Sequence, residues 1–561
     1  MKRSAAFALL ATFLFSMFLR LLPLTKHLFW GADIGEYYYI SEQLVANGYV
    51  SETYSGWGFA YPYFPGMEIV VASSSLLGME LSMAMSLMVP VLASIIVFPV
   101  FLITIEITRS DRAALIAAAF LAVAMPHVYA TSHPMPAAIG DLLFAVCLLL
   151  FLKWLRHPKF GLLLFPATLA LIVTHHLSTY FLLISLTSGI LLVQLLRNRT
   201  SAQRLTREVV YVLFTVIVAI SYWFVGSPGF IETVTSGEPI FSPILIALLL
   251  VALAIAILVV CSRRRLIPSL VFRYPTHGRA LAVYVLVLAT GFLILLVSVL
   301  VVVPGTNVNL PAIAVLLFLP FILFIAFTGP GSRPISFRHR GLYPLAWILV
   351  IALSTLIGVF TSSRVLIPYR HMEYLMFPLS ILIGVGFIHA FGLVHLPRSG
   401  ARTGIAITVV LGLVTTNAMI AFPPRDVIAG YEEGTSPKAV SLAYWSSGHV
   451  DDLVAADHRV SSVLFGFGDV DATWDTARLV FHSPDFEGAR VELENLDSPS
   501  RRRTVRFVAL DLDTIDGVLL YTWNPAEAMS EEAVSKFEES PFQKLYDDGY
   551  SKLFFLNWGL A

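Results

Sequence analysis

The chain has 561 residues, 57% of them hydrophobic and 13% charged, with a mean hydropathy of +0.78. Soluble proteins carry about 25% charged residues, so this composition excludes an ordinary soluble enzyme. The 37 Lys plus Arg are matched by 37 Asp plus Glu, which leaves no excess positive charge for binding nucleic acid.

Crossing a hydrocarbon core of about 30 Å takes about 20 apolar residues in a helix, and thirteen such runs occur along the chain. They lie near 5–25, 82–105, 113–130, 135–154, 160–174, 177–196, 209–226, 240–261, 280–303, 310–328, 341–360, 375–395 and 402–422. The run 160–174 is the shortest. The first run follows Lys2 and Arg3, and no small-residue cleavage site precedes Lys26-His27, so it reads as a retained span rather than a signal peptide. Cys147 and Cys261 both fall inside these runs and supply neither a disulfide framework nor a CxxC metal site.

Lys and Arg concentrate in the cytoplasmic loops of membrane proteins. With a cytoplasmic N-terminus, the connections on that side receive 21 of them, including Arg109, Arg112, Lys153, Arg156, Arg263, Arg264 and Arg265. The opposite side holds Lys26, Arg364 and Arg370, with Arg20 near the outer end of the first span. This asymmetry places the chain in the cell membrane as a multi-pass protein and sends everything after Phe422 outside the cytoplasm.

Residues 26–81 form a long first outer loop, far beyond the median connection of about 4–6 residues. Trp30, Tyr37, Tyr38, Tyr39, Tyr49, Tyr54, Trp57, Phe59, Tyr61, Tyr63 and Phe64 crowd it, which argues against disorder. Asp33–Asn47 reads as a surface helix closed by Gly48, and Met67–Leu77 as a second one after Pro65-Gly66. Asp33 and Glu36 stand three apart and therefore share one face of a helix start. A carboxylate against an aromatic wall can serve as general base towards a hydroxyl; Asp33 can equally be a plain N-cap. The aromatics read either as an interfacial belt or as platforms for a sugar, with Tyr37, Trp57, Tyr61 and Tyr63 the candidates for contacting an acceptor.

The order of these features resembles a family. A first span runs into Gly31-Ala32-Asp33-Ile34-Gly35-Glu36-Tyr37-Tyr38-Tyr39, then Leu44–Gly48, then Tyr61-Pro62-Tyr63-Phe64-Pro65-Gly66 ahead of an apolar run. This resembles the polytopic GT-C glycosyltransferases, in the branch of protein O-mannosyltransferases and lipid A aminoarabinose transferases. The tail ending Lys544-Leu545-Tyr546-Asp547-Asp548-Gly549-Tyr550 looks like tails of archaeal members. The resemblance implies an acidic residue early in the first outer loop as the catalytic or metal-associated carboxylate, here Asp33, and a Tyr-Pro-Pro-Gly closing element, here Tyr63-Phe64-Pro65-Gly66. Many members have adjacent Asp-Glu, whereas Glu36 is displaced by three.

Ionisable groups at membrane depth are expensive and point to function. His127 and His133 flank one outer turn, Asp141 lies one turn into the fourth span, and His175-His176 sit at the next outer turn. Imidazole and carboxylate ligands suit zinc or manganese. Asp141, His133, His175 and His176, with Asp33 and Glu36, are thus candidates for holding a divalent metal ion (Mg, Mn or Zn); the alternative is hydrogen-bonded helix ends. Arg364, Arg370 and His371 are the candidates for a lipid phosphate, because Arg makes forked, charge-assisted bonds to phosphate; the alternative is an anchor snorkelling to headgroups. Glu373 could pair one of the arginines.

Residues 423–561 differ in kind. They hold twelve Lys/Arg against 24 Asp/Glu, a net of −12, which leaves +12 on the membrane part. Strand-like runs at 452–456, 505–510 and 518–523 alternate with helix-like stretches at 437–446 and 526–540, and Asp547-Asp548-Gly549 reads as the turn of a terminal hairpin. Asp457-His458-Arg459 follows the first strand, where a loop could contact an acceptor, but it reads mainly as a surface charge cluster.

The expected fold is an all-α polytopic membrane domain of about 13 transmembrane helices, GT-C-like, over 1–422, followed by a small extracytoplasmic α/β domain over 423–561. The expected activity is transfer of a sugar from a polyprenyl-phosphate-linked donor to a glycan, lipid or protein acceptor outside the cytoplasm. A transporter or flippase would place ionisable groups near the midplane, whereas here they stand at span ends. A surface-polysaccharide polymerase or ligase would place the long outer loop late in the chain.

Overall fold

The structure is a computed structural model that describes residues 3–50, 54–197, 202–227, 230–231, 307–308, 341–361, 366, 368–393, 399–419, 422, 428–429, 434–474, 477–496, 504–516 and 528–560. The runs near 240–261, 280–303 and 310–328, Arg364, and the strand expected at 518–523 lie outside the described residues.

The membrane part is helical. Its elements are α1 (Arg3–Leu21), α2 (Ile34–Asn47), α3 (Gly66–Leu76), α4 (Leu81–Thr108), α5 (Asp111–Val123), α6 (Met125–Ser132), α7 (Pro136–Trp154), α8 (Gly161–Thr174), α9 (His176–Arg197), α10 (Ala202–Ser221), α11 (Leu342–Thr361), α12 (Pro368–Leu393) and α13 (Ser399–Met419). Among the described residues six helices are long and apolar enough to cross a membrane, or seven if the bent pair α5 and α6 is one span. The pair bends by 56°, and the cause is local. Pro126 has no N–H to give the Ala122 carbonyl four residues back, and Ala124 is extended with ψ 115°. Arg20 takes up the freed acceptor, its Nη1 lying 3.4 Å from Ala122 O.

The expected run at 160–174 is the helix α8, 14 residues long with Pro166 inside it. At 1.5 Å per residue that spans about 21 Å, which is why it falls short of a full crossing by length. At one end of the bundle Arg156 pairs with Glu106 at 3.3 Å. At the other, Trp30 meets Tyr129, His133 and Phe422 edge to face or tilted, with centroids 5.8–5.9 Å apart. The ends of the first, third and last predicted spans thus share one face.

The tail carries a four-stranded sheet in the order β5-β6-β8-β7, where β5 is Leu453–Ala455, β6 Val505–Asp511, β7 Phe542–Asp547 and β8 Ser551–Leu556. Strands β5 and β6 are parallel; the other pairs are antiparallel. The terminal hairpin is as the sequence predicts: Gly549 takes φ +82°, and Asp547 and Asp548 accept the N–H groups of Gly549, Tyr550 and Ser551. Side chains alternate along β6, so Val508 and Leu510 enter one core, with Phe481, Leu493 and Phe537, while Phe507 and Ala509 enter another.

That second core crosses the boundary at 422. Val454, Val460, Leu464 and Phe467 of the tail pack in one cluster with Phe29, Ile34, Tyr37, Tyr38, Met67 and Val71 of the first loop. Two short strands join them, β1 (Phe29–Trp30) antiparallel to β4 (Gly434–Thr435), and a second short pair is β2 (Asn307–Val308) antiparallel to β3 (Ile428–Ala429). Helix α2 lies against the tail helix His458–Gly468, here α15, which follows α14 (Pro437–Ser447). A Cβ on Gly35 would strike the Ser462 carbonyl, and one on Gly466 would strike the Gly35 carbonyl, so only glycine at both positions lets the two backbones touch. Helix α2 was expected along the membrane surface; its buried face instead packs on the tail.

Candidate active site

The first outer loop leaves the bundle through β1, turns at Gly31, and starts α2 at Ile34 with Asp33 in the cap position. Gly48 closes that helix in the left-handed region, φ 76°. Asp33 caps nothing with its side chain. Its Oδ1 lies 2.6 Å from His458 Nε2 on the tail helix, and its Oδ2 accepts the Tyr61 hydroxyl at 2.8 Å. The Asp33 side chain keeps 26% of its surface exposed, against 5% for His458, so the carboxylate is the open member of the pair.

Glu36, one turn on, is fully buried. Its Oε1 accepts the Tyr54 hydroxyl at 2.7 Å and the Gly58 N–H at 2.9 Å, while Oε2 has no partner among the described residues. The two carboxyls are driven apart. Burial works against ionised Asp33, but the His458 and Tyr61 hydrogen bonds and the Arg370 charge outweigh it and hold the carboxyl below the ordinary range. Burial first, and the Asp33 charge second, push Glu36 up to about 7. One carboxylate charged beside one carboxyl half-protonated near neutrality is a common arrangement for acid–base work.

The loop's aromatics divide by role. Tyr61 holds Asp33, and Tyr37 packs on Tyr61 with centroids 4.9 Å apart. Trp57 stands edge-on to the His458 ring at 4.8 Å. Tyr63 is the outlier: its carbonyl accepts the Tyr222 hydroxyl at 2.5 Å, which ties the loop to the end of α10. The next residue of the closing element, Phe64, is buried against His176 and Phe230, and a Cβ on Gly66 would strike Thr174. Tyr63-Phe64-Pro65-Gly66 thus docks the loop onto α8 and α9.

Arg370, at the start of α12, is the predicted phosphate ligand whose charge reaches Asp33, and it reaches His175 and His176 as well. His371 does not join it. It is fully buried, with Nε2 bonded to Ser354 Oγ at 2.8 Å and its ring edge-on to Phe181, so it fastens α12 to α9 and α11.

The four candidate metal ligands do not converge, although the His175 and His176 rings lie 5.1 Å apart. His133 gives Nδ1 to the Tyr129 carbonyl at 2.8 Å and lies on Trp30. His175 bonds Ser178 at 2.7 Å. His176 packs between Phe64 and Phe230. Asp141, 2% exposed, sits beside Glu373 and Tyr374, with His127 Nε2 at 3.7 Å. Among the described residues no three His, Cys, Asp or Glu converge as a metal site would require. The physical reason is that helix ends each found a local partner for their histidine.

Two residues escaped the sequence reading. His458 was assigned with its neighbours to a surface charge cluster; instead Asp457, His458 and Arg459 are all buried, at 0%, 4% and 0% exposure. The available signal was an Asp N-cap followed at once by an apolar helix, which buries its first turn. Glu68, in the first turn of α3, is fully buried with no partner for either oxygen among the described residues, and burial pushes it up to about 8.

No protein-family profile matches the sequence, and no curated protein matches it. Solved structures do. The archaeal oligosaccharyltransferase AglB from Archaeoglobus fulgidus, in complex with an inhibitory peptide and a dolichol-phosphate, aligns over 91% of this chain and 70% of its own, at 15% identity and a TM-score of 0.61. ArnT from Cupriavidus metallidurans bound to undecaprenyl phosphate aligns over 100% and 99% at 13% identity, with a TM-score of 0.44. The AglB alignment spans about nine-tenths of the chain, and the two proteins share a fold over that length.

Proposed function

We propose that the chain is a membrane glycosyltransferase that moves a sugar from a polyprenyl-phosphate-linked donor to an acceptor outside the cytoplasm. The observation that supports this reading is a partly open, ionised Asp33 within reach of the Arg370 charge. Asp33 takes the proton of the acceptor hydroxyl as its oxygen bonds the anomeric carbon. The carbon–oxygen bond to the lipid phosphate breaks, and the phosphate leaves with the electron pair, still attached to its lipid and facing the Arg370 guanidinium. Glu36, buried one turn behind Asp33, keeps a second carboxyl beside it, and Trp57, Tyr37 and Tyr61 form the aromatic wall around the pair.

The leaving group is already a phosphate, so no nucleotide fold is needed. The AglB likeness supports the fold on which this chemistry would run, and that protein was captured with a dolichol-phosphate. The positive-inside asymmetry supports a cytoplasmic N-terminus, with 423–561 as an outer acidic domain kept soluble beside the bilayer by its net charge.

The test is to incubate the purified chain with polyprenyl phosphates bearing labelled sugars and mixed glycan, lipid and peptide acceptors. The reading expects label to leave the donor, with free polyprenyl phosphate as the second product. Transport of intact lipid-linked sugar across vesicles without cleavage would replace it with the flippase reading.

A further inference from the structure

We propose that His458, supplied by the outer tail, is the positioning residue that sets the Asp33 carboxylate for catalysis. The proposal rests on the reading of Asp33 as the base. His458 stands between two pinned neighbours. Asp457 caps α15, its Oδ1 accepting Val460 N–H at 2.8 Å and its Oδ2 the Thr514 hydroxyl at 2.6 Å. Arg459 binds Asp511 at 2.5 Å, and Asp511 in turn accepts the Thr514 N–H at 2.8 Å. Both flanking side chains are therefore anchored at the end of β6, and the histidine between them has little freedom to move.

Its ring is held as well. Trp57 of the loop and Trp474 of the tail both meet it edge to face, at 4.8 and 5.7 Å. Trp474 is buried and adopts φ +58°, a left-handed conformation that is unfavourable for a bulky side chain and of the kind found where surrounding structure enforces a functional geometry. The backbone contact of Gly35 with Ser462 and Gly466 then fixes how far His458 stands from Asp33.

The consequence is a carboxylate with one oxygen bound to the imidazole, the other to Tyr61, and an exposed edge left for the acceptor. The starts of α2 and α15 converge on it, and helix N-termini favour an anion. The charged or titratable groups around this pair are Glu36 on α2, Tyr61 and Tyr54 on the loop, Arg370 on α12, and Asp457 and Arg459 on α15.

The full-length protein tests it. His458→Ala should lower kcat by roughly 100-fold with the donor KM unchanged, and imidazole added to the buffer should restore part of the rate. His458→Gln, which keeps an N–H donor, should lose about tenfold or less. In the double variant with Asp33→Asn, removal of His458 should cost nothing further. Wild-type kcat in His458→Ala overturns the proposal, and so does a loss that neither Gln nor imidazole relieves, since that marks a purely structural role. If the alanine variant does not accumulate, His458→Asn, whose amide ends short of Asp33, takes its place with the same outcomes. Full activity of Asp33→Asn alone would instead remove the base assignment on which the proposal rests.

Discussion

Asp33 and Asp141 are both carboxylates at the edge of an apolar bundle, and the structure treats them in opposite ways. Asp33 lies where loop and tail meet, a quarter exposed, with defined partners for both oxygens. Asp141 lies inside the bundle at 2% exposure, within a network that runs through His127 and Arg20 on one side and Glu373 and Tyr374 on the other. Arg20 itself is spent on Ser16, Thr131 and the Ala122 carbonyl released by Pro126. A polar group at membrane depth can thus be an internal brace, and an open edge facing a substrate path is what separates a reactive carboxylate from a bracing one.

The largest expected effect falls on the reactive side. Asp33→Asn should lower sugar transfer by about 10²–10⁴-fold, the usual span for a lost general base, with unchanged thermal unfolding; a variant that loses stability and keeps its rate would erase the contrast. Asp141→Ala should do the reverse. It leaves buried hydrogen-bonding neighbours without their acceptor, which costs roughly 1–3 kcal/mol and should read as a lower unfolding midpoint in detergent, with near-normal activity per folded molecule.

Arg370→Ala should raise the donor KM by about 10–100-fold, as expected for one charge-assisted hydrogen bond of roughly 1.5–3 kcal/mol, and should leave acceptor dependence alone. Gly466→Ala should destabilise the contact between loop and tail by about 1–3 kcal/mol, because neither backbone can withdraw, and should be visible as protease sensitivity between 423 and 434. The smallest effect is one of pH. Glu36 titrates near 4.5 unfolded and about 7 folded, so the folded state holds the extra proton between those values and stability falls as pH rises from about 4.5 to 7. Glu36→Gln should flatten that slope in melts taken across the range.

What the sequence disclosed follows from what period and composition can carry. The helix starting at Asp33, its glycine stop, the helix after Pro65-Gly66 and the terminal hairpin were readable, because each depends on neighbours within a few residues. The choice of Asp33 came from the resemblance to a family with an acidic residue early in its first outer loop, since the local signal alone read as readily as a plain cap. His458 was not readable. It lies 425 positions from its partner, and a charged triplet after a strand looks solvated until a second helix with a glycine at the right turn covers it. The metal grouping failed for a related reason: histidines at successive outer turns share a membrane depth, but nothing in their spacing says whether they face one another or, as His176 and His133 do, lie on aromatic rings.

Asp33 and Arg370 are proposed to flank the path of a lipid phosphate. A structure of the chain in lipid nanodiscs with polyprenyl phosphate added tests it most directly. The account predicts the phosphate against the Arg370 guanidinium, on the side open to Asp33. A phosphate bound instead at the opposite end of the bundle, near Arg156 and Glu106, would contradict it.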